Sequence, residues 1–395
     1  MIPPTHLLSS FTNIYHHPPT LIAYAPGRVN LLGGHTDYND GWVVPVAIDR
    51  YAWLAARPST SDMVTIHALD LDETASFNIH QLDDKLDTQG RPLPKWVHYP
   101  AGVAWSLQRN DLKLTGFDAV LTSTVPVGAG LSSSAAVEVA FAVIWESMMG
   151  WQVDRMSLAR LCQSAENLYV GVNSGLMDQF ASLHGVLGNA LFFDCRTLAW
   201  EAVPLPENIA LVIADTNVRR SLGDSAYNER RAACEEAVRI LSGHLPNITA
   251  LRDVEVHDFE THQHLLPPII QRRAEHVVRE CARTLRGVEK LQAGDVSGFG
   301  TLMIEGNASL RDLYEVSCPE LNALTEIAIS LPGCYGSRLT GAGFGGCTVN
   351  LVEQAHAESF AQKLSTAYKK QVGKDATVWI CQAAEGAGVR GMEGE

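Results

Sequence analysis

The segment Pro126-Val-Gly-Ala-Gly-Leu-Ser-Ser-Ser-Ala-Ala136 restricts this chain more than any other, because it joins a β-rich run at 117–121 to a long apolar helical pattern starting at Ser133. Gly128 and Gly130 allow a tight turn, and three hydroxyls follow at Ser132, Ser133 and Ser134. Small residues let a ligand approach the backbone, and a helix start offers free N–H groups and the positive end of its dipole. Gly128, Ala129, Gly130, Leu131, Ser132, Ser133 and Ser134 therefore suit a phosphate. The segment is no Walker loop, since G-x-x-x-x-G-K-[ST] occurs nowhere in the chain. A glycine turn capped by a serine explains the same residues, and this segment alone leaves both readings open.

Charge narrows the choice. The chain has 30 Lys and Arg against 44 Asp and Glu, a net charge of −14. That balance disfavours nucleic acid and anionic membrane as partners, and it leaves backbone amides as the natural holders of an anion. The eight cysteines are scattered without a C-x-x-C pair, mostly in apolar runs, as expected of free thiols in a reducing compartment. The N-terminus MIPPTHLLSS lacks the basic start and apolar core of a secretion signal. The most apolar helical stretch, 135–149, is short and carries Glu138 and Glu146, so it is not expected to span a bilayer. These features predict a cytoplasmic protein that binds neither nucleic acid nor membrane and needs no obligatory protein partner.

A length of 395 residues suggests two lobes. Strand patterns fall at 21–24, 43–48, 51–56, 64–67, 117–121, 190–193 and 210–214. Helical patterns fall at 133–149, stopped by Gly150, and after Asp154, a plausible N-cap. Beyond residue 224 helices dominate, at 224–241, 274–292, 296–306, 319–330 and 354–370, with strands at 347–352 and 377–381. Strands and helices mix without regular alternation, which predicts an α+β class. The Pro-containing stretch 203–208 is the expected boundary, dividing the chain into an N-terminal lobe, 1–205, and a C-terminal lobe, 206–395.

Two further segments carry chemistry. Leu339-Thr-Gly-Ala-Gly-Phe-Gly-Gly-Cys347 contains a formal G-x-G-x-x-G, but it leads into a β-rich run, whereas a dinucleotide fingerprint must open a helix. Its glycines fit a tight loop packed beside another backbone or a phosphate. Pro26-Gly-Arg-Val-Asn-Leu-Leu-Gly-Gly-His-Thr-Asp-Tyr-Asn-Asp-Gly41 gathers Arg28, His35, Asp37 and Tyr38. Such a density of donors and acceptors suits a polyhydroxylated ligand. His35 and Asp37 alone are weak grounds for a metal site.

In this order the three segments resemble those of the GHMP small-molecule kinases, and among them the galactokinase family. PGRVNLLGGHTDYNDG is similar to the family's sugar signature, PVGAGLSSSAA to its phosphate loop and SRLTGAGFGGC to its third motif. Shorter matches lie between them at 164–169, 175–179 and 217–231. The resemblance runs from about residue 20 to the C-terminus. It implies a two-lobed GHMP fold with ATP and a sugar between the lobes. Activity would be transfer of the γ-phosphoryl group to the C1 hydroxyl of a galactose-like sugar. Ser134 and Glu166 match the residues that hold Mg²⁺, and Trp96 and Tyr99 match aromatics near the adenine. The sugar site would draw on Gly34, His35, Thr36, Asp37, Asp178 and Tyr227, with Asp178 as the base and Arg28 beside it.

One departure stands out. Gly34 occupies the place of the family's glutamate, which accepts a hydrogen bond from the sugar's C6 hydroxyl. The loss of that carboxylate implies altered tolerance at C6. Sister kinases acting on galacturonate or L-arabinose therefore stay open as alternatives, as does a non-catalytic sugar sensor.

Overall fold

The computed structural model describes residues 2–219 and 223–392. Residues 220–222, part of the matched stretch 217–231, lie outside the described residues.

Two sheets organise the chain. Helix α1 (Thr5–Tyr15) precedes β1 (Leu21–Asn30), β2 (Trp42–Val43), β3 (Pro45–Pro58), β4 (Met63–Ala68) and β5 (Glu73–Asn78). After α2 (His98–Gln108) come β6 (Phe117–Ser123), α3 (Ser133–Met149), α4 (Arg155–Ser164) and α5 (Met177–His184). The first sheet has the order β13-β1-β3-β6-β4-β5, its last member being the C-terminal strand β13 (Gly388–Gly391). Only β4 and β6 run parallel in it, and the crossover that such a pair needs carries α2. Helices α2 to α5 cover one face around Leu54, Ile66, Phe117, Phe141 and Trp145. On the other face, Leu7 and Phe11 of α1 pack against Trp53 and Val120. Helix α3 is apolar on nearly every side, and Ala135 and Val139 to Trp145 are almost wholly buried. Such a helix belongs inside a core rather than on its surface.

Strands β7 (Asn189–Asp194) and β8 (Trp200–Pro204) form a small sheet with β2. The second large sheet has the order β10-β11-β9-β12, from β9 (Ile209–Asp215), β10 (Cys334–Leu339), β11 (Cys347–Glu353) and β12 (Thr377–Cys381). It is antiparallel throughout. The helices of this half are α6 (Gly223–Leu241), α7 (Val256–His262), α8 (Pro268–Gln292), α9 (Val296–Asp312), α10 (Pro319–Ser330) and α11 (Ala357–Val372). The link 205–208 joins β8 to β9, while β13 returns to the first sheet with Leu21 opposite Gly391.

The class is α+β, as the patterns predict. Gly150 closes α3 with φ 69°, and the Asp154 carboxylate caps α4 by accepting from the Ser157 amide at 3.0 Å. The runs at 43–48 and 51–56 belong largely to one continuous strand, β3. Among the described residues, no helix is long and apolar enough to cross a membrane. All eight cysteines are free thiols.

Candidate active site

The phosphate-loop segment joins β6 to α3 in a form that keeps its amides open. Gly128 and Gly130 have φ 66° and 79°. The loop's carbonyls are turned away and engaged: Ala129 O accepts from Cys347 N, Leu131 O from Arg28 N at 3.1 Å, and Gly130 O from Arg28 Nη1 at 2.6 Å. A loop that faces an anion must send its carbonyls elsewhere, and this one does.

The second glycine run is the turn of the β10–β11 hairpin. It packs backbone against backbone on the phosphate loop. A Cβ on Gly341 would lie 2.7 Å from Gly130 Cα, and one on Gly130 would lie 2.9 Å from Thr340 O. Neither position admits a side chain, so both glycine runs answer one steric demand. The run opens a strand rather than a helix, which excludes the dinucleotide reading.

Between these loops lies a cavity of about 380 Å³. Arg28 reaches it from β1, just after an irregularity in register between Pro26 and Arg28 that re-aims the strand. Its guanidinium grips Asp178 at the start of α5, with Nε to Oδ1 and Nη2 to Oδ2 both at 2.8 Å. The Ser132 hydroxyl donates to Asp178 Oδ2 at 2.6 Å. Arg28 is buried, whereas the Asp178 side chain keeps 23% of its surface open to the cavity. The result is an oriented carboxylate beside a fixed cation, at the mouth of the glycine- and serine-rich loop.

The sugar signature follows β1. His35 has φ 62°, and both its ring nitrogens have partners, Tyr38 Oη at 2.8 Å and Ala342 O at 3.1 Å. Burial, and then His276, lowers its pKa to about 3, so the ring is neutral. It therefore donates through Nε2 to Ala342 O and accepts from Tyr38 through Nδ1, which leaves no nitrogen for a metal. Behind it, α8 fixes the backbone of the loop. Glu280 Oε1 accepts from the amides of Gly33 and Gly34 at 3.0 and 3.1 Å, and His276 Nε2 bonds Gly34 O at 3.0 Å. Burial alone would raise the Glu280 pKa, but Arg338 and Arg283 outweigh it and hold the group far below the usual range.

Asp37 lines the same cavity beside Arg28, Asp178 and Tyr227. Desolvation, and then repulsion from Asp178, raises its pKa to about 6, against the pull of the Tyr38 amide and Arg28. Its folded pKa thus lies above the ordinary value of 3.8. The folded state binds the extra proton, so stability falls as pH rises from about 4 to 6, and above pH 6 the carboxylate is held at a cost. Asp37→Asn is expected to raise the melting temperature at pH 7.5 by a few degrees, to lose that advantage toward pH 5, and to weaken sugar binding. Melting curves at the two pH values and sugar titration check this; a variant less stable at pH 7.5 than the parent contradicts it.

Glu166 sits in a single π-helical turn, Ala165–Val170, at the C-terminal end of α4. Such turns often re-aim one side chain at a site. Burial raises its pKa, and the hydroxyls of Ser174 and Ser134 and the Gln179 amide bond it. Ser134 and Glu166 line the cavity together. Two oxygen donors suit Mg²⁺, which keeps phosphate oxygens and waters as its other ligands. Among the described residues there is no cluster of three or more His, Cys, Asp or Glu fit to hold a metal by protein groups alone.

The structure therefore brings Arg28, His35, Asp37, Gly128, Gly130, Ser132, Ser133, Ser134, Glu166, Asp178 and Tyr227 onto one cavity. Ala129 and Leu131 are buried behind the loop. Thr36 is fully buried, and its hydroxyl bonds Gly33 O and Trp42 O at 2.9 and 2.7 Å, which braces the turn. Gly34 lies behind the wall, where a Cβ would come 2.5 Å from Arg338 Nη2. Trp96 and Tyr99 are outside the lining, and the Trp96 indole donates to Glu73 at 2.8 Å. Sequence reasoning missed Asn173, Ser174, Arg219 and Asn228 on the wall. It also missed the supporting Glu280 and His276, whose only signal was a His and a Glu on the inner face of an amphipathic helix.

Sequence profiles agree with this layout. The GHMP kinases N terminal domain matches residues 98–186, the GHMP kinases C terminal 288–370 and the galactokinase galactose-binding signature 9–58. The galactokinase of Roseiflexus sp. (strain RS-1) is 47% identical over 388 residues, 98% of this chain and 97% of that protein. This chain belongs to the galactokinase family of GHMP kinases. The Bos taurus galactokinase is 42% identical over 387 residues, 96% of this chain and 95% of that one. A crystal structure of Lactococcus lactis galactokinase complexed with galactose superposes with a TM-score of 0.91 at 32% identity, covering 96% of this chain and 98% of that one. The Methanococcus jannaschii mevalonate kinase, at 17% identity and TM-score 0.62 over 93% of this chain and 99% of that one, shares the fold. The galactokinase-family assignment accounts for the joint presence of two glycine-rich loops and a polar signature around one cavity.

Proposed function

We propose that this kinase transfers the γ-phosphoryl group of ATP to the anomeric C1 hydroxyl of galactose, giving α-galactose 1-phosphate. The observation that carries the reading is the Arg28–Asp178 pair facing the same cavity as the open amides of the phosphate loop. Phosphoryl transfer depends mainly on positioning and on charge stabilisation. The loop amides hold the phosphates, and Asp178 orients the attacking hydroxyl and receives its proton as the new P–O bond forms and the bond to ADP breaks. Arg28 orients Asp178 through its paired hydrogen bonds and stabilises the charge on the transferred group. Asp37 and Tyr227 offer an acceptor and a hydroxyl to the sugar. Ser134 and Glu166 would hold Mg²⁺, which supplies neutralising charge on the phosphate oxygens. Free, mostly buried thiols support a cytoplasmic setting.

ADP release across galactose, galacturonate, L-arabinose and N-acetylgalactosamine, with phosphorus NMR of the product, tests the reading. Galactose-dependent ADP release and a C1 phosphate are expected. No ADP release with any sugar would instead favour a sensor, and faster turnover of galacturonate or L-arabinose a sister kinase.

The finer reading concerns C6, where Gly34 removes a carboxylate and broadens tolerance. Its φ is not positive, so the obstacle to a side chain there is steric, the 2.5 Å approach of a Cβ to the buried Arg338 Nη2. A glutamate would meet Arg338, which already serves Glu280 at 3.0 Å. Gly34→Glu is expected to shift kcat/KM toward galactose over galacturonate by roughly 1–3 kcal/mol, the range for one unpaired buried polar group. An unchanged ratio in a folded variant makes Gly34 a backbone feature of the turn.

A further inference from the structure

Ser132 stands at the N-cap of α3 with φ 60° and ψ 46°, a left-handed conformation that a serine does not favour. An N-cap serine ordinarily has extended backbone and spends its hydroxyl on an amide of the first helical turn. Here the side chain makes no capping bond. Its hydroxyl goes to Asp178 Oδ2 at 2.6 Å, 46 residues along the chain, and the residue is buried. The helix still begins properly, because Ala136 N bonds Ser132 O at 3.0 Å.

The unusual backbone thus has two consequences. The hydroxyl is withdrawn from the cap, so the first amides of α3 keep their free face toward the cavity. The same rotation delivers the hydroxyl to Asp178 Oδ2, which also accepts from Arg28 Nη2. Arg28 lies against both oxygens, with Nε 2.8 Å and Nη2 2.7 Å from Oδ1, and Ser132 adds a contact from a second element that braces the carboxylate against rotation. Backbone strain that persists at a site is a sign of use, since a glycine would relieve it at no steric cost.

We propose that Ser132 is a positioning residue of the reaction: its left-handed backbone diverts a helix-cap hydroxyl onto Asp178 and holds the carboxylate in its orientation beside Arg28. This inference rests on the reading of Asp178 as the group that receives the substrate's proton.

Ser132→Ala and Ser132→Gly separate the hydroxyl from the backbone. Both remove the hydroxyl, but only glycine relieves the strain, so the glycine variant should melt higher than the alanine variant. If the hydroxyl orients Asp178, both lose kcat alike, by roughly tenfold or more, as for other misplaced reacting groups. KM for ATP stays within about twofold in both, because the loop amides remain. Three results overturn the inference: either variant keeps parental kcat; glycine restores kcat that alanine loses; or the loss appears in KM for ATP, which would make Ser132 a phosphate ligand. Asp178→Asn, assayed alongside, separates the two readings. If it keeps parental turnover, the role of Asp178 falls and this inference with it. If it is inactive while both Ser132 variants are fully active, only the role of Ser132 falls.

Discussion

Asp178→Asn is expected to lower kcat at least about a hundredfold, the lower end of what a positioned proton acceptor contributes, while the sugar still binds. The carboxylate takes hydrogen bonds from Arg28 Nε, Arg28 Nη2 and the Ser132 hydroxyl on its two oxygens. An asparagine can offer an oxygen on one side only. Its amide group then faces a donor on the other side, and no charge remains to accept a proton. Arg28 is 4% exposed, so it also loses its counter-ion in a place where water can hardly replace it. A lower melting temperature should accompany the kinetic loss. Steady-state ADP release and calorimetric sugar titration measure the two parts separately. Unchanged turnover with unchanged sugar affinity would remove Asp178 from the mechanism.

Glu166→Ala should abolish measurable turnover yet leave the melting temperature within a couple of degrees. Glu166 and Glu138 are both buried, and each raises the pKa of a neighbouring group or is itself raised by burial. Gln179 Nε2 bridges them at 3.0 and 2.9 Å. Deleting one of two crowded carboxylates removes repulsion as well as hydrogen bonds, so the stability terms oppose each other. Function has no such compensation, because Ser134 alone is a poor holder of a hard cation. Rates measured across a Mg²⁺ series check the expectation, together with nucleotide binding with and without Mg²⁺. A variant with the parental Mg²⁺ dependence takes Glu166 out of the site.

These two residues also show where reading the sequence works. Local rules capture what neighbours along the chain decide. Gly128 and Gly130 before the serines, Gly150 after the helix and Asp154 at the next cap announce themselves, because turns, caps and helical periodicity depend on residues a few positions apart. The glycines of 341–346 were legible as a close-packed loop for the same reason, although their partner, Gly130, was not. The family resemblance supplied Arg28, Asp178 and Glu166 as members of one site.

What the sequence determined by itself is the set of local pieces: a β-loop-helix unit with open amides, a second glycine turn and a polar signature after β1. Only the tertiary structure decided their meetings. Arg28 and Asp178 are 150 residues apart, Gly34 and Glu280 are 246, and β13 reaches β1 across nearly the whole chain. Such pairings depend on how sheets and helices close the intervening loops, and no short-range pattern encodes that closure. The same closure set Asp37 against Asp178 and so raised its pKa, and it turned Ser132 from a helix cap into a ligand of the carboxylate. A hydroxyl at the start of a helix reads as a cap in any sequence; a left-handed backbone fixed by the packing around it sends that hydroxyl to another partner.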